Sequence, residues 1–444
     1  MRAARSILPG LDQIPLRITD RDLLSAAAAA APPPRRSQAG GCRRWQKMVL
    51  WLGLALALAG PAAASCVPPG GAADQSIAVP GHPFGIASTT GGCHVFVTMP
   101  AAGTPPSPAG TSVLRWRDGK LVNDRTAPYG GLGAKLTHDG TTLITADRHR
   151  VLLLDVARLT DGDADPLVGT IELGPNSPEH QNPEAIYVAM TRDDRLLFVS
   201  CENLARITVI DLARARRGDP ASEVILGHIP VGPRPIAVTL SQDDRYLFTT
   251  SQYAEPELGW PARCAAENAA GPTPAPAYPE GAVAVIDVAT AATTPERAVL
   301  ARVPAGCNPV RLALSPDGAE AWVTARSNDA VIVFATAHLI SDPDHAKLGT
   351  VPVGRSPVGV VVTGNGRQVW VANSGRFSSD PEATQWLTVI NTAKNSGDSF
   401  TVAGRVQAGA FPRETHILDD GRTLLISNFQ SRTVQVIDTS RARP

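Results

Sequence analysis

One unit recurs seven times between about residues 75 and 440, and a chain built this way has few folds open to it. Its clearest form reads Gly-x-x-Pro, an alternating apolar strand, a Ser-x-Asp-Gly or Asp-Asp turn, a second apolar strand, a polar gap, and a third strand ending in Val-Ile-Asp. Blade four carries it as Gly232 to Val238, Ser241 to Asp244, Tyr246 to Thr249 and Val283 to Asp287. Blades five, six and seven repeat it from Asn308, Ser356 and Phe411, and blade three from Pro183 with two extra residues near its start. Blade two keeps His138-Asp139-Gly140 and Val151 to Asp155; blade one keeps Gly81 to Gly85 and Val95 to Thr98.

The Asp-Gly and Asp-Asp pairs suit hairpin turns, because both residue types tolerate the positive φ that twisted hairpins require. A single blade exposes two apolar faces, which only neighbouring blades can cover, so a ring follows. A fourth strand precedes each Gly-x-x-Pro, as in Gly227 to Gly232 and Gly349 to Gly354, but the chain stops six residues after Asp438 without supplying one for blade seven. Gln75 to Gly81 is an unmatched copy at the other end. The expected fold is therefore all-β, a seven-bladed β-propeller with four antiparallel strands per blade, closed by the N-terminal strand. The 39 Gly, 39 Pro and 5% aromatic content fit many tight turns between short strands.

The domain reading is a leader over 1–65, with 1–47 either a mis-assigned start or a disordered stretch, and one propeller over 66–444. Met48 to Gly60 is apolar, follows Arg43, Arg44 and Lys47, and precedes Ala62, Ala63, Ala64 and Ser65, the pattern of a secretory signal. A periplasmic or extracellular location is expected. Ala63 to Cys66 is similar to a lipoprotein processing box, so membrane attachment is expected only if Cys66 is acylated. Residues 1–65 hold nine Lys/Arg and three Asp/Glu, which leaves 32 basic against 38 acidic residues in the rest and argues against nucleic-acid binding.

Past the leader, five cysteines remain. Cys264 and Cys307 should share one face and pair, Cys66 can reach Cys93, and Cys201 is then the buried odd thiol. No Cys/His cluster suggests a metal, and no cofactor motif is present.

The loops from an outer strand to the next inner strand, and from second to third strands, should share a face. Three are long: Pro100 to Ser112, Gln252 to Gly281 and Ser374 to Trp386. Aligning the blades gathers His82, Glu184, Arg234, Asn308, Arg311, Arg413, Glu414 and His416 around the channel mouth, with Lys135 deeper. His180 near Glu184 forms the best local His/Glu grouping. Arg413, Glu414, Arg311, Glu184 and His416 are the candidate catalytic set; His82, His180, Arg234 and Asn308 are candidate ligand contacts. The competing reading is a wet channel whose polar groups pair with one another.

The Ser-Pro-Asp-Gly turn followed by Trp322-Val-Thr or Val371-Ala-Asn373, then Val-Ile-Asp, resembles the YVTN-type repeats of bacterial envelope propellers, including the lactonase-like family. The stretch from Phe411 to Ser431 is similar to the last blade of lactonase-like propellers, a match that carries over Pro412 and Arg413. Three functions are compatible with these features: a monomeric scaffold at the cell envelope that binds a small molecule or an envelope protein; a hydrolase acting on a sugar or aliphatic lactone; and an accessory propeller beside a periplasmic redox enzyme. An open cleft at the channel mouth would weaken the pure scaffold reading.

Overall fold

The computed structural model describes residues 65–441, apart from 69–70, 73, 104–105, 175–181, 266–276, 377, 379–384 and 394–399. The apolar run of the leader, and His180, lie outside the described residues. Among those described, no helix is long and apolar enough to cross a membrane.

Seven four-stranded antiparallel sheets form, one for each sequence repeat. Five are built from consecutive strands, and in blade four a small separate hairpin intervenes between the second and third strands. In the last, Pro412–Ile417, Thr423–Asn428 and Thr433–Asp438 are completed by Gln75–Ala78, whose register sets Gln75 opposite Val436 and Ala78 opposite Thr433. The N-terminal strand thus closes the ring and covers an edge that would otherwise be open.

The turn chemistry follows the sequence. The second residue of each Asp-Gly, Asp-Asp or Asn-Gly pair has positive φ: Gly140, Asp194, Asp244, Gly318, Gly366 and Gly421. In five of these six the preceding Asp or Asn takes the hydroxyl of the residue that opens the turn, as in Ser241 to Asp243 at 2.6 Å and Thr363 to Asn365 at 2.8 Å, whereas Leu418 opens the last and Asp420 accepts from Thr423. The Val-Ile-Asp ending does more than finish a strand. Asp155, Asp211 and Asp287 each cap a short helix by accepting the backbone N–H three residues on, and that helix turns the chain toward the outermost strand.

Apolar residues pack in clusters between adjacent blades, with Trp322, Trp370, Phe96, Phe198, Phe248 and Phe334 fully buried. Cys66–Cys93 and Cys264–Cys307 form disulfides, and Cys201 is a buried free thiol, its pKa raised by burial. The first bridge ties the segment ahead of the closing strand to blade one, and a Cys66 sulfur held in it is unavailable for a lipid thioether. Two bridges fit an oxidising compartment.

Candidate functional site in the central channel

The innermost strand of blades three to seven carries the same irregularity: register shifts between Ala185 and Val188, Pro235 and Val238, Pro309 and Leu312, Pro357 and Val360, Pro412 and Thr415. Each bulge inserts one residue and turns two successive side chains toward the channel. The residue just before the strand has positive φ in all five, at Glu184, Arg234, Asn308, Ser356 and Phe411.

Because the register repeats, side chains lining the channel stack in levels, each blade giving one residue per level. The uppermost comprises Phe84, Leu132, Ile186, Ile236, Val310, Val358 and Arg413. The six apolar members belong to one hydrophobic cluster, and Arg413 is the single charge among them. One step down, Gly85, Gly133, Ala237 and Gly359 leave space that Tyr187, Arg311 and Glu414 fill. A Cβ on Gly133 would sit 2.2 Å from the Tyr187 ring. Lower still are Lys135, Thr239 and His416.

Tyr187, Arg311, Glu414 and Arg413 together divide the channel. The Arg311 guanidinium lies over the Tyr187 ring, 3.3 Å from its centroid, and is ion-paired with Glu414. Arg413 lies 3.9 Å from the centroid of Phe84. The Tyr187 hydroxyl is beside Arg413 but without hydrogen-bonding geometry, and burial raises its pKa. Burial likewise lowers that of Arg413, whose guanidinium nonetheless stays protonated.

Above this divide is a cavity of about 380 Å3, lined by Arg234, Arg326, Arg376 and Arg413, by Tyr187, Tyr253, Tyr278 and Phe411, and, among the described residues, by one carboxylate, Glu202. Its wall is a hydrogen-bonded chain: Arg234 donates to Glu202 at 2.7 Å, Gln252 to Glu202 at 3.2 Å, and Arg326 to Gln252 at 3.0 Å. Glu202, Gln252 and Arg326 occupy the same repeat position, directly after the second strand of three successive blades. Tyr253 and Tyr278 come from the long insertion of blade four, which carries a small hairpin, Ala262–Cys264 with Tyr278–Pro279, and is fastened by the Cys264–Cys307 bridge. Below the divide is a second cavity, of about 230 Å3, with Lys135, Arg311, Glu414 and His416 among its lining.

The candidate residues are therefore distributed over several levels. Arg413 and Arg234 line the upper cavity; Arg311, Glu414 and His416 line the lower one. Glu184 is held at the rim by Arg148 at 2.9 Å. His82 donates through Nδ1 to the Phe429 carbonyl at 2.8 Å and stacks on that ring. Asn308 is buried, donating to Tyr278 Oη at 2.8 Å and Ser327 Oγ at 2.6 Å. Sequence reasoning missed Tyr187 and the Glu202, Gln252 and Arg326 series. The signal for the latter was present, in the residue following each second strand. Among the described residues, no cluster of His, Cys, Asp and Glu could hold a metal ion.

No family model matches the chain, and no curated protein matches it. Solved structures do. Hydrazine synthase of Kuenenia stuttgartiensis aligns with a TM-score of 0.58 at 16% identity, over 82% of this chain and 97% of that one. The periplasmic gluconolactonase of Pseudomonas aeruginosa aligns at 0.53 and 18%, over 74% and 86%. A candidate 6-phosphogluconolactonase of Bacteroides fragilis aligns at 0.52 and 15%, over 75% and 86%. At these identities the likeness establishes the architecture: this chain is a seven-bladed propeller of the shape that lactonase-like propellers also adopt.

Proposed function

We propose that the chain is an exported, ligand-binding propeller whose upper cavity takes a small carboxylate or its lactone, with Arg413 as the anchoring group. The observation that carries this reading is the isolation of Arg413: the one charge in a ring of apolar residues, with no ion-pair partner among the described residues. An enclosed guanidinium without a counter-charge is costly, and an anionic ligand relieves that cost. Arg413 shares the cavity lining with the rings of Tyr187, Tyr253, Tyr278 and Phe411, which can cover the body of such a ligand. Export is supported by the apolar run behind Arg43, Arg44 and Lys47 and by the two disulfides.

Lactone hydrolysis is the second reading. The Phe411–Ser431 stretch, similar to the last blade of lactonase-like propellers, and the two neighbours described as lactonases favour it. Arg413 would then polarise the lactone carbonyl. Calorimetric titration of residues 66–444 with an aldonate and its lactone, with hydrolysis followed in parallel, tests both. Binding lost in Arg413→Ala without any turnover supports the ligand-binding reading. Turnover abolished by the same change supports hydrolysis, and ligands that bind the variant as tightly as the parent exclude the upper cavity as the site.

A further inference from the structure

The lower cavity is a separate chamber with its own unpaired charge. Lys135, on the inner strand of blade two, lines the chamber and is itself exposed to channel solvent. Its ammonium has no hydrogen-bond or ion-pair partner among the described residues. Glu414, the carboxylate that acts on it, does so only at a distance and is itself paired with Arg311. His416 bonds Ser88 Oγ through Nε2 at 2.9 Å, and burial, reinforced by Lys135, pushes its pKa down to about 3, so it is neutral in ordinary buffers. Lys135 and Arg311 against Glu414 leave the chamber with one positive charge. Basic residues in this chain are overwhelmingly arginine; only five of the 41 are lysine. At this level the chamber presents a compact ammonium with three rotatable donors in place of a planar fork. The remaining lining is short and mostly apolar, including Ala134, Val188, Val238 and Ala313.

We propose that this chamber is a second binding site, distinct from the upper cavity, for a small monocarboxylate that takes the Lys135 ammonium as its counter-ion and lays a short tail against the apolar wall. The charge balance favours a monoanion, and the chamber's volume, about 230 Å3, favours a ligand of a few carbon atoms. The Tyr187 ring and the Arg311–Glu414 pair separate the two sites, so occupancy of one does not require the other. Desolvation by the surrounding channel walls lowers the Lys135 pKa, with Glu414 opposing and Arg311 adding to the effect. A bound carboxylate raises it, and affinity falls as pH climbs through it.

Acetate is the probe. Reductive 13C-methylation keeps lysine charged and gives few NMR signals; the Lys135 signal is assigned by its loss in Lys135→Met and, independently of that variant's folding, in the charge-keeping Lys135→Arg. The expected result is that acetate shifts the Lys135 signal and raises its titration midpoint in both the parent and Arg413→Ala, and that matched chloride does so at least about tenfold more weakly. A Lys135 signal unmoved by acetate overturns the proposal. So does an equal response to chloride, or a response that vanishes in Arg413→Ala, which would place the anion in the upper cavity. Because Arg413→Ala is one arm, failure of the upper-cavity reading leaves this result interpretable.

Discussion

Arg311 and Glu414 meet across the channel from blades five and seven, passing over blade six, which presents Gly359 at their level. Their side chains are 14% and 17% exposed. Removing one partner strands the other charge. Glu414→Gln should cost roughly 2 kcal/mol, below the ~3–5 kcal/mol of a fully buried pair because both groups keep some contact with channel solvent. The double variant Arg311→Met/Glu414→Gln should recover most of it. Urea denaturation of the three chains measures this; equal stability of all of them would mean the pair contributes nothing.

Acid should reveal His416. Its folded-state pKa, about 3, lies below the ordinary histidine value of about 6.5, so between these values the unfolded chain binds a proton that the folded chain refuses. The contribution is complete above the upper value and is lost as pH falls toward the lower one. His416→Gln, which retains an amide able to bond Ser88, should therefore show a smaller drop in urea midpoint than the parent between neutral pH and about pH 4. Parallel curves would show that the imidazole titrates normally.

The closing strand should matter more to association than its four residues suggest. A chain beginning just before Phe84 lacks Gln75–Ala78 and the Cys66–Cys93 bridge, leaving Thr433–Asp438 as an open edge. Light scattering should report self-association in the shortened chain and none in residues 66–444. To separate the strand from the bridge, Cys66→Ser/Cys93→Ser should remain monomeric.

Cutting the Cys264–Cys307 bridge should act on the upper cavity rather than on the ring. The bridge fastens the insertion that supplies Tyr253 and Tyr278, whereas blade four's own strands pair without it. Cys264→Ser/Cys307→Ser should weaken any Arg413-dependent ligand by about tenfold or more while leaving the Lys135 response to acetate intact. A loss of both would make the bridge a general stabiliser.

Much of the fold was legible because it is written seven times. Turn pairs such as Asp243-Asp244 and Asp317-Gly318 state their own backbone requirement, and the missing fourth strand of the last blade identifies its replacement by elimination. The channel was only partly legible. Alignment brings Arg413, Arg311, Glu414 and His416 to the axis, but their division between two cavities depends on the repeated bulge; the recurring proline at Pro235, Pro309, Pro357 and Pro412 marks where it begins but not which side chains it turns inward. Tyr187 escaped notice for the same reason. Read singly it is one aromatic in an apolar strand, and its role as a partition depends on Gly133 in the preceding blade. Glu184 looked available because sequence cannot show that Arg148, in the neighbouring blade, already holds it.

The seven positions of the uppermost level are corresponding places in the repeat, and a single one of them carries charge, so the scaffold has rotational symmetry that its chemistry breaks with one side chain. Exchanging Arg413→Val with Val310→Arg would rotate that chemistry two-sevenths of a turn about the axis, from beside Phe429 toward Arg326, with the insertion and its bridge left in place. What the guanidinium does and where the insertion sits relative to it thereby become independent variables, which a fold without internal repetition does not allow.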